Sequence, residues 1–408
     1  MKKYILLVWL LVFALTATSC IQAPAESPDP QPIPSGNGTQ TPPPPTIDNT
    51  LTEPDTPAPP KEEPSVQPNA PIYPVWETDD ITAQNFLQND GIVDISKENY
   101  SYEEMVQDLS ELSSLYPKHF SYRSFGKSVL GRDLYVAVLG DPDAPKQILV
   151  SAGIHAREYL TPLLVMKQIE FCLAYYESGD CSDVSYEDLF GNVCFYIVPM
   201  TNPDGIMLSQ GGIDTVSDRT ARQKILDIHL ADFKSGKTKA ASVNEYLRSW
   251  KANANGVDLN RNFDARWEEY VGVDRPSYRN YKGPSAASEP ETQAMVSLTQ
   301  SLSNIQTVLC IHSQGEVLYW NCGQETQLKN ETQQFTKMVA QLTGYYIVPT
   351  QNNDASFSDW CALENGNIAI TVETGNGTCP LPISQFATIW TQNYNLLAKA
   401  ARYFTPNV

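Results

Sequence analysis

Ile148-Leu149-Val150-Ser151-Ala152-Gly153-Ile154-His155-Ala156-Arg157-Glu158-Tyr159 is the stretch from which the fold is read. Its first five residues form an apolar run that predicts a buried strand, and the polar residues follow where that strand ends. Open α/β sheets place their chemistry at such ends. His155 and Glu158, three residues apart, can reach the same face and share one small cation. Zn²⁺ favours nitrogen and oxygen donors of this kind, and a catalytic site needs three protein ligands and an open position. Taken alone, H-x-x-E is a weak pattern, more often a structural histidine beside a solvated glutamate than a metal site.

The chain has 408 residues, 41% hydrophobic and 18% charged, enough for one large domain. Its front is different in kind. Lys2 and Lys3 precede an apolar segment from Tyr4 to Leu15, then Ala17-Thr18-Ser19 and Cys20. This resembles a bacterial lipoprotein signal over residues 1–20, with Cys20 lipidated as the mature N-terminus. It implies an extracytoplasmic protein anchored to the membrane through that lipid, or secreted if the lipid is not added. Residues 21–75 hold 17 of the 30 prolines among Ser, Thr, Asn, Gln and acidic residues. Such a stretch buries too little apolar surface to order itself and reads as a semi-stiff tether. Residues 76–99 read as a lead-in lying on the domain surface, and the catalytic domain is expected over 100–408.

A net charge of −19 gives no basis for nucleic-acid binding by counterion release. The eight cysteines include no C-x-x-C pair, so neither a structural zinc nor a redox motif is indicated. Export would permit a Cys172–Cys181 disulfide. Cys194 and Cys310 read as small buried hydrophobes.

Along the domain, Ser101-Tyr102-Glu103-Glu104 predicts a capping box opening a helix with Met105, Leu109 and Leu112 on one face. Residues 125–132 read as a hairpin turn into a strand at 134–139. A helix is expected over 161–176 and a strand over 193–200, ended by the turn Asn202-Pro203-Asp204-Gly205. Residues 215–250 are helix-like. Ser288-Glu289-Pro290-Glu291 predicts a second capping box, before a helix to about 302. A strand at 306–311, helices at 325–342 and 356–364, a strand at 368–372 and one helix over 384–403 complete the pattern. Strands alternating with helices, without internal repeats, predict a single α/β domain, its mixed and largely parallel sheet covered by helices on both faces.

Four segments expected at strand ends carry the polar residues: His155 to Glu158, Asn260-Arg261, His312 and Glu373. Of the four histidines, His119 and His229 lie in polar or helical contexts, whereas His155 and His312 end apolar runs. A third zinc ligand is therefore assigned to His312.

With these residues in place, the chain from about Tyr100 to Tyr403 resembles the zinc carboxypeptidases, the family of the pancreatic digestive enzymes. The likeness runs through the Gly-Lys-Ser-x-x-Gly-Arg segment at 126–132, His155-Ala156-Arg157-Glu158, Asn202-Pro203-Asp204-Gly205, Gly256 to Phe263, Ser288-Glu289-Pro290-Glu291-Thr292 and His312-Ser313. It implies one zinc ion on His155, Glu158 and His312, with Glu373 as general base. It also implies Asn260 and Arg261 as the holders of a substrate carboxylate. Peptide hydrolysis needs a base for the attacking water and positive charge for the oxyanion. Arg157 and Lys251 are the candidates for the latter.

Digestive members carry a Tyr two residues after an Asp-Trp pair, whereas Asp359-Trp360 is followed there by Ala362. Residues 312–320, 357–360 and 373–382 resemble instead the bacterial branch that cleaves γ-D-glutamyl bonds to diaminopimelate in wall peptides. The resemblance thus implies a monomeric hydrolase of peptidoglycan stem peptides. The alternatives are a general carboxypeptidase trimming C-terminal residues and, from another class, a non-catalytic wall-binding lipoprotein.

Overall fold

The computed structural model describes residues 83–87, 91–349 and 355–408. The signal segment, Cys20, the tether, and residues 76–82 and 88–90 of the lead-in lie outside the described residues. The strands are Phe120–Lys127 (β1), Asp133–Leu139 (β2), Lys146–Ala152 (β3), Asp180–Cys181 (β4), Val184–Ser185 (β5), Val193–Val198 (β6), Ile305–His312 (β7), Val317–Tyr319 (β8), Tyr346–Ile347 (β9) and Ile368–Glu373 (β10). Eight of them form one sheet in the order β1-β2-β6-β3-β7-β10-β8-β9, and β4 with β5 forms a small hairpin.

The centre of the sheet is parallel: β3 pairs with β6 and β7, and β7 with β10. Parallel strands are covered on both faces, which is why these segments read as unbroken apolar runs. Alternation along β3 sends Ile148 and Val150 into one core cluster and Leu149 into another. On the first side lie helices Tyr102–Leu115, Leu160–Ala174, Thr326–Thr343, Phe386–Asn393 and Leu396–Phe404; on the second, Pro290–Ser301 and Phe357–Leu363. This is the expected mixed sheet between helical layers.

The capping box at Ser101 forms, with Glu104 returning to the Ser101 backbone and Met105, Leu109 and Leu112 buried. Other local expectations fail for tertiary reasons. The hairpin turn is only 128–132; residues 125–127 belong to β1, an edge strand whose exposed polar residues hide its period. The box at Ser288 does not form. Ser288 Oγ donates to Glu289 Oε1, while Glu291 is drawn away to accept from the Val129 N–H at 3.0 Å and from Asn253 Nδ2 at 3.2 Å. The C-terminal helix is broken at Tyr394-Asn395, just after Asn393 donates its amide to the Ile389 carbonyl. Part of the lead-in is core: Phe86 and Val93 are 1% exposed. Cys172 and Cys181 are free, buried thiols. Ala362 lies in the apolar cluster with Phe263 and Trp360, so the residue there faces the core.

Candidate metal centre

The turn that presents His155 is built by its backbone. Gly153 has φ +62°, and a Cβ there would come within 2.9 Å of Ile206 Cδ1 and Pro162 Cγ, so only glycine fits. The Gly153 N–H donates to Thr161 Oγ1, Thr161 Oγ1 donates to the Glu158 carbonyl, and the Glu158 N–H donates to the His155 carbonyl. Asn202 holds the turn from outside, donating to the carbonyls of Ile154 and Ala252 while accepting from the Gly205 N–H to cap its own helix. The Asn-Pro-Asp-Gly segment thus joins the His155 turn to the loop carrying Lys251.

Three buried side chains converge here. Nδ1 of His155 lies 2.9 Å from Glu158 Oε1, and Nδ1 of His312 lies 3.0 Å from Glu158 Oε2. The Ser313 N–H donates to Glu158 Oε2 at 3.2 Å, and the two imidazole centroids are 4.8 Å apart. One potential ligand atom from each of the three residues fits within a span of 4.8 Å. Two imidazole nitrogens and a carboxylate fit Zn²⁺ and leave a coordination position for water or substrate. Burial opposes ionisation of Glu158, but His155, Lys251 and the contact with His312 outweigh it and hold the carboxyl well below its usual range. Lys251 Nζ stands 3.3 Å from Glu158 Oε1 and 3.5 Å from His155 Nδ1.

The parallel register sets Glu373, the last residue of β10, opposite His312, the last residue of β7. Burial raises the Glu373 carboxyl to about 7; His312 lowers it, Glu158 raises it, and Lys251 and Arg157 lower it. Arg157 also acts electrostatically on Cys379, whose thiol faces Ser313 Oγ at 3.3 Å. Among the described residues, the buried Arg157 Nε has no hydrogen-bond partner.

Asn260 and Arg261 sit in a 3₁₀ turn, Leu259–Arg261, and not at a strand end. Asn260 Oδ1 accepts from the Phe357 N–H at 3.0 Å. The Arg261 guanidinium lies 5.2 Å from the Tyr270 ring centroid, donates through Nη1 to the Asn260 carbonyl and has a buried Nε with no partner among the described residues. His119, stacked on Tyr176, and His229, bonded to the Ala240 carbonyl, are engaged elsewhere.

Sequence reasoning assigned nothing to Asp258. Its Oδ1 lies 3.3 Å from His155 Nε2, an ion-pair distance, and its Oδ2 accepts from the Asn280 N–H at 2.9 Å. Burial opposes its ionisation, but His155, Arg261 and Lys251 overcome this and lower its pKa. A carboxylate behind a metal-binding imidazole fixes the ring and raises its basicity. The only advance signal was the density of polar residues around 258; the partner is supplied by folding.

A family model described as zinc carboxypeptidase matches residues 105–396. The chain belongs to the zinc carboxypeptidase family. It is therefore a metallopeptidase, a hydrolase whose family uses zinc, and among the described residues His155, Glu158 and His312 form a group able to hold the ion. This zinc carboxypeptidase is 32% identical over 297 residues to "Gamma-D-glutamyl-L-diamino acid endopeptidase 1" of Lysinibacillus sphaericus, a match covering 72% of this chain and 70% of that protein. It is 27% identical to carboxypeptidase B of Astacus astacus, over 70% of this chain and 90% of the relative. Among solved structures, carboxypeptidase A of Helicoverpa armigera shares the fold with a TM-score of 0.58 at 19% identity, covering 79% and 76% of the two chains. Thrombin activatable fibrinolysis inhibitor does so with a TM-score of 0.60 at 18% identity, covering 80% and 83%.

Proposed function

We propose that this zinc carboxypeptidase hydrolyses peptidoglycan stem peptides at the amide bond between a γ-D-glutamyl residue and a diamino acid. The convergence of His155, Glu158 and His312 beside Glu373 carries the peptidase chemistry. The 32% identity to the Lysinibacillus sphaericus enzyme named for that bond supports the substrate class. When bound, zinc supplies a Lewis acid that polarises the scissile carbonyl and acidifies a water. Glu373 takes the proton of the attacking water and returns it to the leaving nitrogen, a task suited to a carboxyl raised to about 7. The Lys251 ammonium, 3.3 Å from Glu158, faces the charge that develops on the oxyanion. Arg261, with Asn260 beside it, holds the carboxylate of the leaving residue in a planar fork.

The localisation belongs to the same proposal. A lipid on Cys20 and the tether of residues 21–75 would set a monomeric catalytic domain outside the cytoplasmic membrane, within reach of the wall. The second reading, a general carboxypeptidase, is favoured by the likeness to the Astacus astacus carboxypeptidase B. Mass spectrometry of products from an L-Ala-γ-D-Glu-diaminopimelate peptide and from ordinary peptides, with and without a zinc chelator, separates the two. Chelator-sensitive release of the diamino acid supports the wall reading. Trimming of ordinary peptides alone replaces it with the second.

A further inference from the structure

Among the described residues, two guanidinium groups of this site present a buried Nε–H with no acceptor: Arg157 and Arg261. A desolvated donor of this kind is costly to leave unmet, and the free edge of a guanidinium matches a carboxylate bidentately. The two face different surroundings. Arg261 lies with Asp258, Asn260 and Tyr270, whereas the charge of Arg157 acts on Glu373 and Cys379. Lys251 is the ammonium placed against the ligand set itself, and the function proposed above gives it the oxyanion, which leaves Arg157 without that task. In a chain of net charge −19, cations fixed at a few points select for anionic groups at particular points of a ligand and do not attract anions generally.

A substrate that satisfies both arginines carries two acceptor groups at separate points, and with Arg261 given to the leaving residue in the function proposed above, the second falls to the acyl residue beside Glu373. The leaving residue supplies one, its own carboxylate, to Arg261. On the acyl side an ordinary α-linked peptide has no carboxylate on its backbone at the residue being cleaved, because the α-carboxyl is itself the scissile carbonyl. A γ-linked glutamate is different: its side-chain carboxyl is in the scissile bond and its α-carboxyl is left free.

Building on the wall-peptide reading above, we infer that Arg157 binds the free α-carboxylate of the γ-linked glutamyl residue, making the enzyme selective for wall peptides whose glutamate is not α-amidated. An α-carboxamide keeps the size of the group, loses its charge and turns one of its two acceptors into a donor facing the guanidinium. The pair Arg157–carboxylate is then exchanged for a clash of donors.

The test compares two tripeptides, L-Ala-γ-D-Glu-diaminopimelate and its α-carboxamide, on the full-length zinc-loaded enzyme and on its Arg157→Gln variant. The parent enzyme is expected to favour the free acid in kcat/KM by about ten- to a hundredfold, the size of a charge-assisted hydrogen-bond pair. Arg157→Gln is expected to bring that ratio near one. Because the ratio is taken on a single preparation, partial misfolding of the variant does not alter it. Equal cleavage of both peptides by the parent overturns the inference and leaves the wall-peptide reading in place. A preference that survives Arg157→Gln overturns it as well, since another group then reads the carboxylate. Cleavage of neither tripeptide, with ordinary peptides still trimmed, removes the wall reading and the inference with it.

Discussion

Asp258→Asn should weaken zinc binding without changing any ligand. Asp258 offers two acceptor oxygens, one 3.3 Å from His155 Nε2 and one 2.9 Å from the Asn280 N–H. Asparagine has one oxygen and one NH₂ in their place, so in either orientation an N–H meets an N–H. A buried donor left facing another costs about 1–3 kcal/mol. The ring could escape by moving its proton to Nδ1, but Nδ1 is the nitrogen that faces Glu158, the side on which the other ligands lie. Both routes reduce affinity, and loss of the carboxylate also lowers the basicity of the ligand. Removing such outer partners lowers metal affinity about 10–100-fold, or roughly 1.4–2.8 kcal/mol. Competition with a chromophoric zinc chelator measures the dissociation constant, and thermal melting of the zinc-free variant separates damage to the fold. An affinity within about twofold of the parent would refute the account of Asp258, as twofold lies well under the tenfold lower limit.

The other predictions concern the base and the core. Glu373→Gln should keep zinc and lose hydrolysis by at least about a hundredfold, since it removes a proton acceptor and no ligand; turnover near the parent rate by a zinc-replete variant contradicts the assignment. As the proposed base, Glu373 would work ionised, so kcat/KM should rise with pH through its pKa and fall about tenfold per unit below it. Burial raises that carboxyl to about 7 and the positive charge of bound zinc pulls it down, so the acid limb belongs at or below pH 7. A limb no higher than an ordinary glutamate near pH 4.3 would count against a base shaped by burial. Lys167→Met should destabilise the domain by about 3–5 kcal/mol in chemical denaturation, because it removes the ammonium that balances Glu170 at 2.7 Å inside the core. That change also releases the Val93 carbonyl, which Lys167 holds at 3.2 Å, so proteolysis near residue 93 should quicken.

Local chemistry carried much of the fold. The apolar runs of β3, β7 and β10 needed no tertiary information to be read as buried strands, because a strand covered on both faces must be apolar throughout. The capping box at Ser101 was legible because both its hydrogen bonds close within four residues. The box at Ser288 has the same letters and fails, because the Val129 N–H, 162 positions away, captures Glu291. Edge strand β1 escaped for a related reason: with solvent against much of it, nothing forces its residues into an alternating pattern.

The site divides in the same way. His155 and Glu158 could be recognised as a pair because three residues and one turn separate them. His312 could be named as a further donor, but its approach to the other oxygen of Glu158, 154 positions away, follows from the parallel pairing of β7 beside β3. The same register brings Glu373 level with His312. Asp258 behind His155, and the unmatched edge of Arg157, were decided by the tertiary structure alone. A sequence specifies which groups are present, whereas their desolvation and the partners they meet or lack depend on segments far apart in the chain.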